Sequence, residues 1–152
     1  MALKDKNILH EADRTELLRR LNNISAEDRP RWGTMNAAQL FDHLVKYQQM
    51  VLGTRPVKKI GNALTAALLR WWFLGNRRFP KSLRTAKQLL PTDPGTVEQA
   101  KSEHQTLFNE VLQKLQAGQE MPPSPIFGKL TNRQLGHIIY KHLDHHARQF
   151  GQ

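Results

Sequence analysis

The stretch TNRQLGHIIYKHLDHHARQF, residues 131–150, has the period of an amphipathic helix and carries histidines on its apolar face. It predicts a helix over residues 131–149. At about 100° per residue, His142 and His146 fall in the middle of the apolar stripe, one turn apart. Three further polar residues lie away from that centre: His145 at the edge of the stripe, and His137 and Asp144 on the side that faces solvent.

Two imidazoles on one apolar face need partners, because a buried polar group without one is costly. A single metal ion would satisfy both, since the i, i+4 spacing offers two ligands to one ion. Two core histidines that are hydrogen-bonded to their neighbours are the alternative, and spacing alone favours it. His104, at the centre of the stripe of another predicted helix, is interpreted as a core histidine rather than a fourth ligand or a group beside the ligands.

His43 lies on a second predicted helix, which starts near Thr34 or Asn36 and ends near Gly53. It shares a row with Tyr47 on the flank of the apolar arc, and therefore points at the seam with a neighbouring helix. This position makes His43 the natural third ligand, and a flank histidine hydrogen-bonded to a neighbour is an equal alternative. Tyr47 is a candidate acid or hydrogen-bond donor beside the site, although simple packing at the seam is favoured.

Helical period recurs along the chain, and no segment shows sustained strand alternation. The predicted helices cover residues 12–22, 34 or 36 to 53, 61–75, 96–115 and 131–149. The helix of residues 61–75 contains ALTAALLRWWFL and is apolar nearly all round, with Arg70 as its only charge. Such a helix is buried on several sides or inserted into something. The pattern predicts one all-α domain over residues 1–152, with four amphipathic helices in a bundle, this extra short helix, and a long loop at 76–95.

The net charge of +10 comes from one segment. Residues 43–92 contain no Asp or Glu and ten of the 23 basic residues, so the remaining 13 balance the 13 acids. Such a block attracts anions, and a merely solvated basic surface is an equal alternative. The chain has no cysteine, which excludes disulfides and thiolate metal sites. No signal sequence and no membrane-spanning run is recognisable, so a cytoplasmic protein is expected.

Two segments resemble the DinB/YfiT-like superfamily of four-helix metalloproteins. RWGTMNAAQLFDHLVKYQQ, residues 31–49, is similar to the Trp-anchored start of the helix that supplies the first histidine in that superfamily. YKHLDHHARQFG, residues 140–151, is similar to its terminal HxxHH signature, whose first and last histidines are ligands. The resemblance implies a metal site of His43, His142 and His146, and it looks closest to a branch described only as a domain of unknown function.

The resemblance also implies an up-down-down-up four-helix bundle and a divalent ion, commonly zinc or nickel. Characterised relatives include transferases and isomerases that use low-molecular-weight thiols. We therefore expect a metal-dependent enzyme that activates a thiol or a water, of transferase or hydrolase type. Leu143 stands where zinc proteases carry a glutamate after the first histidine, which favours thiol chemistry. The long loop with Arg77, Arg78, Lys81 and Arg84 is expected to cover the metal and receive a small anionic substrate, and Arg77 and Arg78 are the candidate binding residues.

The main alternative is a binding module without catalysis. The acid-free segment carries Trp71, Trp72 and Phe73, and cations beside aromatics are typical of single-stranded nucleic-acid binders. Because these aromatics lie in an apolar helix, they suit a core or a homodimer interface better, which argues against nucleic acid. An anionic membrane surface is a related alternative. A bundle that keeps its histidines only as structure is a third.

Overall fold

The computed structural model describes residues 3–81, 83–92 and 95–152. Within these ranges the chain forms five α-helices, two short 3-10 turns and no strand, so the prediction of an all-α protein is confirmed. The helices are α1 (Glu11–Asn22), α2 (Ala37–Leu52), α3 (Ala63–Leu74), α4 (Val97–Gln116) and α5 (Asn132–Gln149). Residues 82, 93 and 94 of the predicted long loop lie outside the described ranges.

The helices begin where capping side chains place them. In α2, α3, α4 and α5 the N-cap side chain accepts a hydrogen bond from the third backbone N–H of the helix, and the third side chain bonds back to the cap. Such a reciprocal pair satisfies two backbone donors that otherwise have no partner. The caps are Asn36, Asn62, Thr96 and Thr131. Asn36 is one of the two predicted starts of α2, and residues 96 and 131 are the predicted starts of α4 and α5, so predicted and observed starts differ by only a few residues.

The core is formed mainly where α2 packs along α4 and where α1 packs against α5. Phe41 of α2 and Phe108 of α4 are fully buried, as are Leu17 of α1 and Leu143 of α5. Each such side chain stabilises the fold by roughly 1.5–3 kcal/mol relative to an exposed one. The short helix α3 packs against α5. There its Phe73 forms a second, smaller apolar cluster with Phe79 and Phe127.

Helix α5 is buried on nearly every side, and the predicted solvent face of this helix is wrong. His137 is 5% exposed, and its Nδ1–H donates to the backbone oxygen of Lys6 at 2.7 Å. Asp144 is 7% exposed and accepts hydrogen bonds from Arg20 of α1 at 2.8 Å and from Arg148 at 2.9 Å. The reason is tertiary, since the N-terminal segment and α1 cover the side that an isolated helix would show to water.

Helix α3 is covered on one face only, so burial on several sides, one of the two alternatives that its composition predicts, is wrong, and insertion into a partner stays a prediction. Ala66 and Phe73 are buried, and Lys141 of α5 donates to the backbone oxygens of Phe73 and Gly75 at the end of α3. These bonds fix the C-terminal end of α3 against α5. Among the described helices, none has the length and apolar character needed to cross a bilayer.

Candidate metal centre

Three histidines from two helices meet inside the molecule. His43 of α2 and His142 and His146 of α5 are 3%, 8% and 5% exposed. The Nε2 atom of His142 lies 3.2 Å from Nε2 of His43 and 3.2 Å from Nε2 of His146. All three ligand atoms lie within 4.8 Å of one another. The structure thus brings together the three residues that the helical faces and the family resemblance both indicated.

The remaining ring nitrogens decide which tautomers are present. Nδ1 of His43 lies 2.9 Å from the backbone oxygen of Leu89, which can only accept, so the proton of His43 is on Nδ1. Nδ1 of His146 lies 2.8 Å from Oε1 of Gln149, whose amide nitrogen donates to the backbone oxygen of Trp32 at 2.8 Å. That second bond orients the amide, so His146 also carries its proton on Nδ1. Both residues therefore point an Nε2 lone pair at His142.

The position of His142 tests whether these residues suit a metal ion. Its Nδ1 atom is buried and has no hydrogen-bond partner among the described residues. Its Nε2 atom faces two lone pairs, and one proton can be donated to only one of them. A cation between the three Nε2 atoms would satisfy all of them at once. Metal-binding histidines commonly donate their other N–H to a backbone carbonyl or side-chain oxygen, as His43 and His146 do here. The residues fit a divalent metal.

The environment keeps the three imidazoles neutral. Burial lowers the pKa of His43 below its usual value, although the hydrogen bond to Leu89 partly opposes this effect. Burial lowers the pKa values of His142 and His146 much further, and charge on the neighbouring imidazoles adds to it. Neutral imidazole is the form that binds metals, so the donor set needs no deprotonation near neutral pH.

A cavity of about 230 Å³ adjoins the three histidines. Its wall is mostly apolar and draws on α2, α3, α5 and the loop before α4; the side chains include Met50, Leu69, Phe73, Phe79, Phe127 and Ile138. Among the described residues that line it there is no Asp or Glu, and Arg84 is the one Lys or Arg. The cavity can hold a small molecule with an apolar body beside the imidazoles, with the guanidinium of Arg84 at one side.

Tyr47 and His145 also line this cavity. The ring of Tyr47 packs against His142 with centroids 4.0 Å apart, and burial raises the pKa of its hydroxyl, so Tyr47 stays neutral. His145, which had been placed at the edge of the helical stripe, is buried, with its ring centroid 5.1 Å from that of His146 and 5.6 Å from that of Trp32. His145 had not been assigned a role, because a helical wheel places it away from the other two histidines.

Other predicted residues lie elsewhere. Arg77 and Arg78 are exposed and do not line the cavity, and Arg77 instead lies 5.9 Å from the ring centre of Trp72. Arg84, from the same loop, does line the cavity. His104 lies in the core with its ring centre 6.0 Å from those of Phe41 and Phe108, apart from the three-histidine cluster.

Two groups that hold the site were missed in the sequence. The backbone oxygen of Leu89 belongs to the short 3-10 turn Lys87–Leu89, and nothing in the sequence there links it to His43. Gln149 follows His146 by three residues, the spacing at which two helical side chains meet, and this spacing was a usable signal. The buried Lys46 corrects another inference, because it is paired with Asp42 at 2.8 Å and so does not belong to the exposed basic surface.

Fold and site together define an all-helical protein with a buried cluster of three histidines beside a cavity. The chain matches the family model of the DinB superfamily over residues 9–150, and it belongs to that superfamily. The resemblance noted at residues 31–49 and 140–151 is thereby confirmed. Comparisons with curated proteins and with solved structures gave no significant match.

Proposed function

We propose that this protein is a divalent-metal-dependent enzyme in which His43, His142 and His146 hold the ion and a thiol or a water is activated for transfer to an electrophile. The observation that carries the proposal is the convergence of three Nε2 atoms, two with a defined lone pair, at the wall of a cavity. We further propose that residues 1–152 form one cytoplasmic domain in which α1, α2, α4 and α5 make an up-down-down-up bundle.

The donor set supports zinc or nickel. Imidazole nitrogen is a good ligand for both metals, and three protein ligands leave a position for substrate, as catalytic sites do. A divalent ion bound there would supply Lewis acidity that lowers the pKa of a coordinated water or thiol. The protein's part is to fix the imidazoles: the backbone oxygen of Leu89 orients His43, and Gln149 orients His146.

The cavity favours a thiol over a water as the nucleophile. The lining residues that the structure describes include no carboxylate that could serve as a general base for water. A thiol needs less help, because its pKa in water is already near 8.5 and a metal lowers it further. The apolar wall excludes water from the reacting atoms, and Arg84 stands where it can bind the negative charge of an acidic thiol or electrophile.

Metal content tests the proposal directly. Wild-type protein, purified without a histidine tag and reconstituted with zinc or nickel, is expected to hold about one ion per chain by mass spectrometry. His146→Ala is expected to lose it, and the matched variant His10→Ala, which changes an exposed histidine, to keep it. A wild type that binds no metal after reconstitution, or a His146→Ala variant that binds as well as wild type, would falsify the metal site.

The reaction type is tested on the zinc-loaded protein with two assays. Transfer of glutathione to an aryl chloride is expected to be accelerated, and hydrolysis of an activated ester is expected to be slower by comparison. Arg84→Gln is expected to raise KM for glutathione at unchanged metal content, and Arg77→Gln with Arg78→Gln to leave it unchanged. Ester hydrolysis without thiol transfer would contradict the choice of nucleophile while leaving the metal site intact.

A further inference from the structure

Helix α3 carries an apolar stripe that no other described part of the protein covers. Leu64 is 78% exposed, Leu68 63% and Trp71 69%, the three highest values for large apolar side chains in those ranges. Their i, i+4, i+7 spacing puts them on one face of the helix, roughly opposite Phe73, which packs into the molecule. Folding does not require this stripe to be apolar, since polar residues would suit exposed positions better.

Exposed cations flank the stripe along the chain. Lys58 and Lys59 precede α3, and Arg77 and Arg78 follow it, all exposed. No Asp or Glu occurs between residues 43 and 92. The surface formed by the stripe and these four cations is called the α3 face below.

The charge of the α3 face selects among three occupants. A second copy of the chain, paired face to face, would bring two sets of cations together with no acid from this segment between them, which is repulsive. Single-stranded nucleic acid would meet the cations, but two of the three exposed side chains are leucines, which give no planar ring for bases to stack on. An anionic bilayer fits both features, because its acyl chains can contact the apolar stripe and its acidic headgroups can bind the flanking cations.

The helix is held in place for such an encounter. Lys141 donates to the backbone oxygens at the end of α3, and Arg70 donates to the backbone oxygen of Lys129 at 3.1 Å. The ring of Phe73 packs edge-on against Phe79 and Phe127, with centroids 4.6 and 5.3 Å apart. The stripe is therefore carried by a helix that is already folded. Binding to a surface does not have to offset the conformational entropy lost on ordering this helix.

We propose that α3 docks on an anionic lipid surface, with Leu64, Leu68 and Trp71 inserted at the level of the headgroups and Lys58, Lys59, Arg77 and Arg78 bound to acidic lipids. The helix lies along the membrane surface. This inference is independent of the proposed metal chemistry.

Co-sedimentation with vesicles tests it. Wild-type protein is expected to bind vesicles of phosphatidylcholine and phosphatidylserine mixed two to one, and to bind pure phosphatidylcholine far more weakly. Leu64→Ser with Leu68→Ser is expected to weaken binding by about tenfold or more, because two apolar insertions are lost. Leu90→Ser, at a leucine that is 46% exposed but outside α3, is the matched control and is expected to bind like wild type. Circular dichroism shows whether each variant is folded.

A second measurement separates insertion from simple charge attraction. Vesicles that carry brominated acyl chains are expected to quench the emission of wild-type protein, and Trp71→Phe is expected to remove most of that quenching while still sedimenting. Replacing the four cations by glutamine is expected to reduce binding to phosphatidylserine vesicles at low salt by about tenfold or more. Equal binding by the leucine variant and wild type, absent quenching, or a dimer in solution that the leucine substitutions dissociate would each overturn the proposal.

Discussion

Helices α5 and α3 differ in how their composition relates to their burial. Helix α5 is rich in polar residues and is buried almost all round, whereas α3 is almost wholly apolar and leaves three large apolar side chains exposed. The sequence predicts a solvent-facing side for α5, and for α3 it predicts burial on several sides or insertion. Burial is therefore set by the elements that surround a helix and not by its own composition.

In both helices the unexpected pattern of burial coincides with a proposed function. Polar residues of α5 find specific partners: Arg20 and Arg148 for Asp144, the Lys6 carbonyl for His137, and Gln149 for His146. By contrast, Leu64, Leu68 and Trp71 of α3 stay largely exposed in the described part of the chain. A buried polar residue with good partners and an exposed apolar residue without them are the two departures from ordinary burial that carry information.

The largest expected effect concerns a polar residue that is buried without a partner for one of its nitrogens. Nε2 of His104 is buried and unpaired in the described structure, and burial lowers the pKa of this ring from 6.5 to about 4. The unfolded chain therefore binds more protons between these values, so stability is complete above pH 6.5 and falls as the pH drops toward 4. The loss approaches about 3 kcal/mol, at 1.36 kcal/mol per pKa unit.

Urea unfolding at pH 7 and pH 4.5, compared with His104→Phe, measures this contribution. The variant should lose less stability on acidification than wild type does. An identical acid sensitivity in the two proteins would show that burial of His104 does not control it, and would weaken the argument that unpartnered burial is costly in this core.

The ion pairs of Asp144 test the opposite case, that of a buried polar residue with good partners. Asp144→Ala leaves Arg20 and Arg148 without their carboxylate in partly buried positions, and is expected to destabilise the fold by about 2 kcal/mol after allowance for solvent access. Glu16→Ala removes a pair with Arg19 that is exposed on both sides, and should have no measurable effect. Equal midpoints of urea unfolding for the two variants would contradict the structural role of Asp144.

Gln149 sharpens the comparison at the metal centre. Gln149→Leu removes the acceptor of the His146 Nδ1–H, and is expected to weaken metal affinity by about tenfold or more. Gln48→Leu is the matched control, because the amide of Gln48 is fully buried but has no hydrogen-bond partner among the described residues. Competition with a chelator measures both affinities. Equal weakening in the two variants would point to a general loss of packing.

The smallest expected effect is on α3. Leu64→Ser with Leu68→Ser is expected to change the free energy of unfolding by no more than about 0.5 kcal/mol, since both side chains are already in solvent. The contrasting variant is Leu143→Ala in α5, where the same residue type is fully buried and truncation costs about 3 kcal/mol. A large loss from the α3 variant in urea unfolding would mean that the stripe is covered by protein.

The sequence by itself determined the helices and the histidine spacing. The caps Asn36, Asn62, Thr96 and Thr131 and the period of the apolar residues are local signals, carried within a few residues of chain, and they predicted five helices that the structure contains. The i, i+4 relation of His142 and His146 is equally local. The position of His43 on the flank of α2 indicated a partner helix, and the family resemblance indicated which one.

Only the tertiary structure decided what surrounds each helix. The Leu89 carbonyl that orients His43 is 46 residues away in the chain, and His43 and His142 are 99 apart. The tertiary structure also placed Arg84 rather than Arg77 at the cavity, covered the outer side of α5 with α1, and left one side of α3 exposed. The physical reason is that helix propensity depends on near neighbours along the chain, whereas burial and the meeting of side chains depend on packing between segments that are distant in sequence.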